Sequence, residues 1–430
     1  DDITLPGMLW VHVVRSPFAH ARINGVDVSK ALEMPGCVAA YSGADLADEW
    51  PAPLVCAWPV TDDIKMSEHW PVSKDKARHA GDPVAVVVAE TRALAKDAAE
   101  LVEVDYEPLP AVTDPIAAME DGAPLVHDDF GTNVSSVWSF EKGDSPAQHK
   151  PSKPFFDDPD LVKVTHGYRL RRLGRPVKWI EERSENFVST ISTTEIYTDM
   201  EMAATRDGIL KAVRVNVIAS VGAYHQIVTP GIQMLSAWLY GGLYNVEGYD
   251  FAYTNVFTHT TPTDAYRGAG RPEATYAVER TMDLLARELG MDPAELRRKN
   301  YIPPESFPNF TLASGLTVDS GNYPLTHDRM IEVLGYDDIR RQQAERRQSG
   351  STKQIGVGFS CWTEMCGLAP SRVLHALKYI AGGWDAATIE MLPTGTVRLL
   401  IGVTPHGQGH VTTFSQIVAD QLGVEVDDVE

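Results

Sequence analysis

Two glycine-rich stretches hold the residues best suited to chemistry. The first is Ala265-Tyr266-Arg267-Gly268-Ala269-Gly270-Arg271-Pro272-Glu273. Its small residues leave backbone N–H groups uncovered, and Pro272 suits the first turn of a helix. An anion placed there meets N–H donors, the positive end of a helix dipole and two arginines. A tight glycine turn whose arginines pair with nearby carboxylates has the same residues. The second is Pro405-His406-Gly407-Gln408-Gly409-His410, between a strand ending at Val403 and a helix starting near Thr412. Strand, glycine turn and helix start together cradle phosphate, and Gln408 offers both a donor and an acceptor. An ordinary strand-to-helix turn is the competing reading. A third stretch, Cys361-Trp362-Thr363-Glu364-Met365-Cys366-Gly367, has two thiols for redox work and Glu364 for acid–base work. Buried cysteines usually act as small hydrophobes, however. His406 and His410 lie four apart, but a metal needs further ligands and none stands nearby.

The rest of the composition narrows the partners. With about 100–200 residues per domain, 430 residues make two to four domains, and 43% hydrophobic with 23% charged residues is a globular balance. The net charge of −21 repels phosphate backbones and anionic membranes. Nucleic acid is therefore not expected, although a small anion held by a local cluster of arginines and N–H groups is compatible. Four cysteines, Cys37, Cys56, Cys361 and Cys366, make neither a disulfide scaffold nor a four-cysteine iron–sulfur site. HExxH, a nucleophilic triad and a Walker loop are absent. Apolar runs fall far short of the ~20 residues of a membrane span, and no basic, then apolar, leader is visible. A cytoplasmic chain is expected, with both ends cut.

The elements that must position these turns follow from pattern. Pro83–Ala89 reads as a buried strand, Thr91 caps a helix through Ala93, Leu94, Ala98 and Leu101, and Val102–Tyr106 is another strand. Residues 1–130 form an α+β unit. Residues 131–172 are expected to be a linker, with Gly143–Asp160 rich in Ser, Pro, Lys and Asp. Ile196–Ala204 and Ile209–Ser220 form a hairpin around Arg206-Asp207-Gly208, and Glu273–Leu289 is an amphipathic helix ended by Gly290. Asp292-Pro293-Ala294-Glu295 has the pattern of a capping box. Ile339–Gln348 is a charged helix. Ala386–Leu392 and Thr396–Val403 form a second hairpin. Thr412–Leu422 is a helix with Phe414, Ile417, Val418 and Leu422 on one face. Two glycine turns in separate domains, each opening a helix, suggest one large anionic cofactor shared by both.

Arg15-Ser16-Pro17-Phe18-Ala19-His20-Ala21, Leu173-Gly174-Arg175-Pro176-Val177-Lys178-Trp179, the 265–273 segment and Pro405–His410 resemble the large subunit of molybdenum hydroxylases. This family includes xanthine dehydrogenase, aldehyde oxidoreductases and aerobic carbon monoxide dehydrogenase. The nearest likeness is to carbon-monoxide-dehydrogenase-like large subunits of the second form, over nearly all the chain except about 141–172. The resemblance implies an α+β fold: a hammerhead-like domain (1–130), a linker (131–172), a first molybdopterin-binding domain (173–340) and a second, truncated one (341–430). It implies a molybdopterin cofactor, usually the cytosine dinucleotide. It implies partner subunits carrying FAD and [2Fe–2S] clusters, in a dimer of heterotrimers. The implied reaction is hydroxylation of an aldehyde or aromatic N-heterocycle with oxygen from water, helped by a Glu base. Arg267 matches the arginine near the molybdenum. Gly268, Ala269 and Gly270 match the loop lining the site. Gly407, Gln408, Gly409 and His410 match the cofactor-binding turn, and Gln416 a polar helix position facing the cofactor.

Three departures qualify this. Carbon monoxide dehydrogenases have a copper-holding Cys directly after the loop arginine; here Gly268 stands there, and Cu(I) needs a soft ligand. The family's Gly-rich segment, expected before Leu173, is missing. The catalytic Glu and further cofactor contacts normally lie beyond residue 430. Carbon monoxide oxidation, a non-catalytic scaffold and an unrelated nucleotide-binding module are the alternative readings. Trp238–Tyr244 is expected among the variable, substrate-facing segments.

Overall fold

The β-branched run Pro83–Ala89 is buried along almost its whole length because both faces of its sheet are covered. The computed structural model describes residues 5–50, 52–141, 173–192, 195–365, 378–379, 385–403 and 407–430. The chain divides into two compact units, 1–365 and 366–430. The first unit begins with β1 (Leu9–Arg15), β2 (Ala21–Asp27), α1 (Ser29–Glu33), β3 (Cys37–Ser42), β4 (Lys76–Ala77), β5 (Pro83–Ala89), α2 (Arg92–Ala99) and β6 (Glu103–Pro108). Strands β3, β5 and β1 pair antiparallel in that order. Val87 turns to one face and packs with Ala31, Ala98 and Ala99 of the helices. Val86 and Val88 turn to the other, with Leu9, Leu46 and Val72. Thr91 caps α2 by accepting from the Leu94 N–H, as its type requires. Strands β4, β2 and β6 form a smaller sheet.

A second four-stranded sheet follows. After α3 (Pro115–Ala118) comes β7 (Val134–Glu141), which pairs with a later strand from Asp250 to Val256. The expected linker therefore opens with a sheet strand, and residues 142–172, including Gly143–Asp160, lie outside the described residues. Val112 and Ala118 pack with Val256, and Val126 with Val221 and Phe257. Residues 112–130 thus share the core of the second sheet, not the first. Conversely, β8 (Val177–Lys178) returns to the first sheet, parallel to β1. Then come α4 (Arg183–Ser189), β9 (Glu195–Ala204), β10 (Leu210–Gly222), α5 (Ile232–Ala237), β11 (Gly248–Phe257), α6 (Arg271–Leu289) and α7 (Pro293–Asn300). The sheet order is β7-β11-β10-β9. The β9–β10 hairpin turns at Gly208, φ +86°, where the Gly208 N–H donates to the Thr205 carbonyl at 2.9 Å. Strands β10 and β11 are parallel, so a crossover must join them. That crossover, residues 223–247, includes α5.

Helix α6 ends at Gly290, φ +64°. Asp292 caps α7 through the N–H groups of Ala294 and Glu295, with Pro293 in the first turn. Glu295 does not complete a capping box; it pairs with Lys299 at 3.4 Å, one helical turn on. The unit continues through β12 (Phe310–Thr311), β13 (Thr317–Val318), α8 (Tyr323–Leu334) and α9 (Tyr336–Gln348).

In the second unit, β14 (Ala387–Met391) and β15 (Val397–Ile401) form the expected hairpin, with Gly395 at φ +91° in its turn. Helix α10 (His410–Leu422) stops at Gly423, φ +68°. Of its expected apolar face only Val418 is buried; Ile417 and Leu422 are exposed, while Ser415 and Ala419 are buried instead. The short turn Val426–Asp428 is the described element that packs on this helix, and it covers a narrower stripe than the sequence offers. Among the described residues no helix is long and apolar enough to cross a membrane.

Candidate functional site

Arg267 lies in an exposed turn that leads into α6. The turn is made by two glycines in the left-handed region, Gly268 at φ +78° and Gly270 at φ +81°. A Cβ on Gly268 would meet nothing within 4 Å. One on Gly270 would come within 2.8 Å of the Ile232 carbonyl oxygen and 3.0 Å of the Ser236 nitrogen. Gly270 is therefore needed for both its φ and its close approach to α5, and Gly268 for φ alone. Gly270 is also the N-cap of α6, which has no side-chain cap. The Arg271 N–H closes the turn on the Gly268 carbonyl at 3.0 Å.

The two arginines part company. Arg271 donates to Glu364 at 3.0 Å, to the Ala269 carbonyl at 2.9 Å and to the Met365 carbonyl at 3.2 Å. It is thus a structural clamp, and Glu364 is its partner. Arg267 is the arginine of the pair at the exposed side of the turn. Cys361 lies 3.2 Å from the Tyr301 hydroxyl, where burial pushes its thiol up from the usual value; Cys366 lies outside the described residues.

The Gly270 geometry yields a prediction. Gly270→Ala combines left-handed strain of about 1–2 kcal/mol with a clash against α5 backbone, and Gly268→Ala has the strain alone. Thermal melts should show a clearly larger midpoint drop for Gly270→Ala. Equal drops would mean that α5 does not brace the turn.

In the second unit, Gly407 (φ +92°) and Gly409 (φ +78°) flank an exposed Gln408. Gly409 is the N-cap of α10, again without a side-chain cap. His410 begins the helix, its ring 5.1 Å from Phe414. Among the described residues His410 Nδ1 is buried without a hydrogen-bond partner, a state that a ligand oxygen would relieve. Gln416 is exposed on α10. Pro405 and His406 lie outside the described residues, and among those described no group of three or more His, Cys, Asp or Glu side chains could hold a metal ion.

Trp238–Tyr244 is not an open, substrate-facing surface. Tyr240 and Tyr244 are fully buried, the Tyr244 hydroxyl donates to Glu279 at 2.6 Å, and its ring stacks on Tyr301. The aromatic residues fill the crossover between parallel strands. Trp58 is buried in a segment that no periodic pattern marks in the sequence.

Residues 1–110 match the family model for the aldehyde oxidase and xanthine dehydrogenase a/b hammerhead domain. Residues 162–301 and 329–430 match two models of a molybdopterin cofactor-binding domain. The carbon monoxide dehydrogenase large chain of Afipia carboxidovorans is 33% identical, over 100% of this chain and 63% of its own length. The nicotine 6-hydroxylase large subunit of Paenarthrobacter nicotinovorans is 28% identical, over 100% of this chain and 60% of its own. The crystal structure of quinoline 2-oxidoreductase from Pseudomonas putida 86 superposes with a TM-score of 0.85 at 32% identity, covering 100% of this chain and 63% of that one. The chain thus spans about three fifths of the length of these relatives. The first alignment runs over 525 positions, against 430 residues here, so the carbon monoxide dehydrogenase chain has at least 95 positions with no counterpart in this sequence.

Proposed function

We propose a function from one premise: the chain belongs to the family of molybdopterin-binding large subunits of the molybdenum hydroxylases. It acts as such a subunit, oxidising an aldehyde or an aromatic N-heterocycle with oxygen from water. The observation that carries this reading is a matched pair of turns. In each of two molybdopterin-binding domain matches, a left-handed glycine opens a long helix with no side-chain cap. Such ends present N–H groups and a positive dipole to an anion. The buried Nδ1 of His410, without a partner among the described residues, fits the same ligand class.

The proposed cofactor is molybdopterin in its cytosine dinucleotide form. When bound, its molybdenum supplies the two-electron oxidation. This chain's own residues bind and orient. Gln408 and His410 hydrogen-bond the cofactor, Gly407 and Gly409 keep Cβ atoms out of the turn, and Gln416 meets it from α10. Peptide groups of Gly268, Ala269 and Gly270 line the reacting end. The Arg267 guanidinium stabilises negative charge that develops on the substrate.

Electrons leave to partner subunits carrying [2Fe–2S] clusters and FAD; the four cysteines of this sequence have no cluster pattern. A cytoplasmic dimer of heterotrimers is the proposed assembly. Carbon monoxide oxidation is the weaker reading, since Gly268 offers no thiolate for Cu(I).

The test is co-expression with the neighbouring subunits and a dye-reduction screen over aldehydes, purines, nicotine-like rings and carbon monoxide. An aldehyde or heterocycle should reduce the dye, and Arg267→Ala should slow it by about 100-fold with metal content unchanged. Reduction by carbon monoxide alone would replace this reading. An Arg267→Ala variant as fast as wild type would remove the arginine's role.

A further inference from the structure

A strap from the first domain reaches across the first unit. Residues 43–73 contain little regular structure, and both ends are rooted in the first sheet. Leu46 and Val72 are buried in that core. A Cβ on Gly43 would come within 2.1 Å of the Ser73 carbonyl oxygen, so the two ends touch. Within the strap the Leu54 N–H donates to the His69 carbonyl at 2.7 Å. A connection this long with little secondary structure of its own is usually functional or a linker.

The strap lies on the first part of the crossover, ahead of α5. The Ala57 N–H donates to the Ile227 carbonyl at 2.7 Å, the His225 N–H to Ser67 Oγ at 2.8 Å and the Lys65 N–H to the Ser135 carbonyl at 3.1 Å. Trp58 is the wedge. It is 1% exposed, and a Cβ on Gly231 would come within 2.2 Å of its indole. Gly231 has an ordinary negative φ, so packing alone demands glycine there.

The segment under Trp58 holds both ends of the Arg267 turn. Upstream, the Val228 N–H donates to Asp264 Oδ1 at 3.1 Å, and Thr229 Oγ1 donates to the Thr263 carbonyl at 2.5 Å. Downstream, Gly270 packs on the Ile232 carbonyl and Ser236. Trp58, Gly231, α5 and the turn form one continuous stack from the first domain to Arg267.

We propose that Trp58 is a positioning residue: the strap seats its indole on Gly231 and thereby sets the 263–271 turn that presents Arg267. The proposal rests on the cofactor reading only for what the turn is used for. The physical coupling is independent of any ligand. It identifies the hammerhead domain's contribution to the site as a brace against α5.

Hydrogen–deuterium exchange with mass spectrometry on the full chain, without cofactor, tests the coupling. Trp58→Ala should speed exchange of 227–236 and 263–271 by about ten-fold. Trp58→Phe, which keeps a ring on Gly231, should stay close to wild type. So should Val87→Ala, which opens the first sheet's other face. Trp58→Leu serves if the alanine variant does not accumulate. Unchanged exchange of 263–271 in the small-residue variant, or an equal rise in Val87→Ala, overturns the proposal. Molybdenum content of wild type purified with partner subunits reads out the cofactor assignment separately; its absence would sink that assignment and leave the exchange result standing.

Discussion

Glu279→Ala should lower the thermal midpoint of the first unit by about 5 °C, from a loss of about 3–5 kcal/mol. Glu279 is 4% exposed on α6 and Arg297 is fully buried on α7. Their side chains meet at 2.8 Å, and the guanidinium also donates to the Glu279 carbonyl and to Asp283, each at 2.9 Å. Tyr244 donates to the other Glu279 oxygen at 2.6 Å. Removing Glu279 leaves a dry cation with one half-exposed carboxylate, Asp283, to answer it. The cost is mainly that uncompensated charge rather than the worth of the pair. Arg297→Met should therefore be similarly damaging, and Glu279→Leu with Arg297→Met should recover much of the loss. Scanning calorimetry on the single and double variants checks this. Single variants that melt with wild type, or a double variant as unstable as both losses added, would contradict it.

Acid should loosen the seam between the first and second sheets. His20, His127, His225 and His259 are buried there, with the His20 and His259 rings 4.1 Å apart. Burial pushes His127 down to about 4, and His225 and His259 down to about 3. Arg78 lowers His127 and His259 further, while Asp128 opposes it at His127. The Val112 N–H donates to His259 Nδ1 at 3.1 Å, a bond that protonation of that nitrogen would end. Each group has its folded value below the unfolded value of about 6.5. Below that value the unfolded chain binds protons that the folded chain refuses. Stability is therefore full above about 6.5 and is lost as pH falls from there toward 4. At pH 5, His127, His225 and His259 each cost about 2 kcal/mol, roughly 6 kcal/mol together. Urea unfolding at pH 7.5 and 5.0 should show a large drop in midpoint. His127→Asn with His225→Asn should flatten the pH dependence. A midpoint unchanged between the two pH values would contradict this account.

The sequence was most legible where the backbone needs particular residues. Gly208, Gly290, Gly395 and Gly423 all adopt the positive φ their positions suggested, and Thr91 and Asp292 cap their helices. The glycine turns at 268–270 and 407–409 were legible for the same reason. Tertiary partners were not. β7 follows a polar stretch and runs into another, so its edge pairing with β11 carries no local signal. The clamp on Arg271 depends on Glu364, 93 residues away. The buried histidines come from segments over two hundred positions apart and carry no shared spacing. Trp58 sits in an aperiodic strap whose role emerges only from what it covers.

The most direct test of the account is the molybdenum and pterin content of this chain, co-purified with the proposed iron–sulfur and FAD subunits. The account predicts that both are present in wild type and are strongly reduced in a variant combining Gln408→Ala with His410→Ala, while the subunits still co-purify. Wild type that assembles fully yet holds neither molybdenum nor pterin would contradict it.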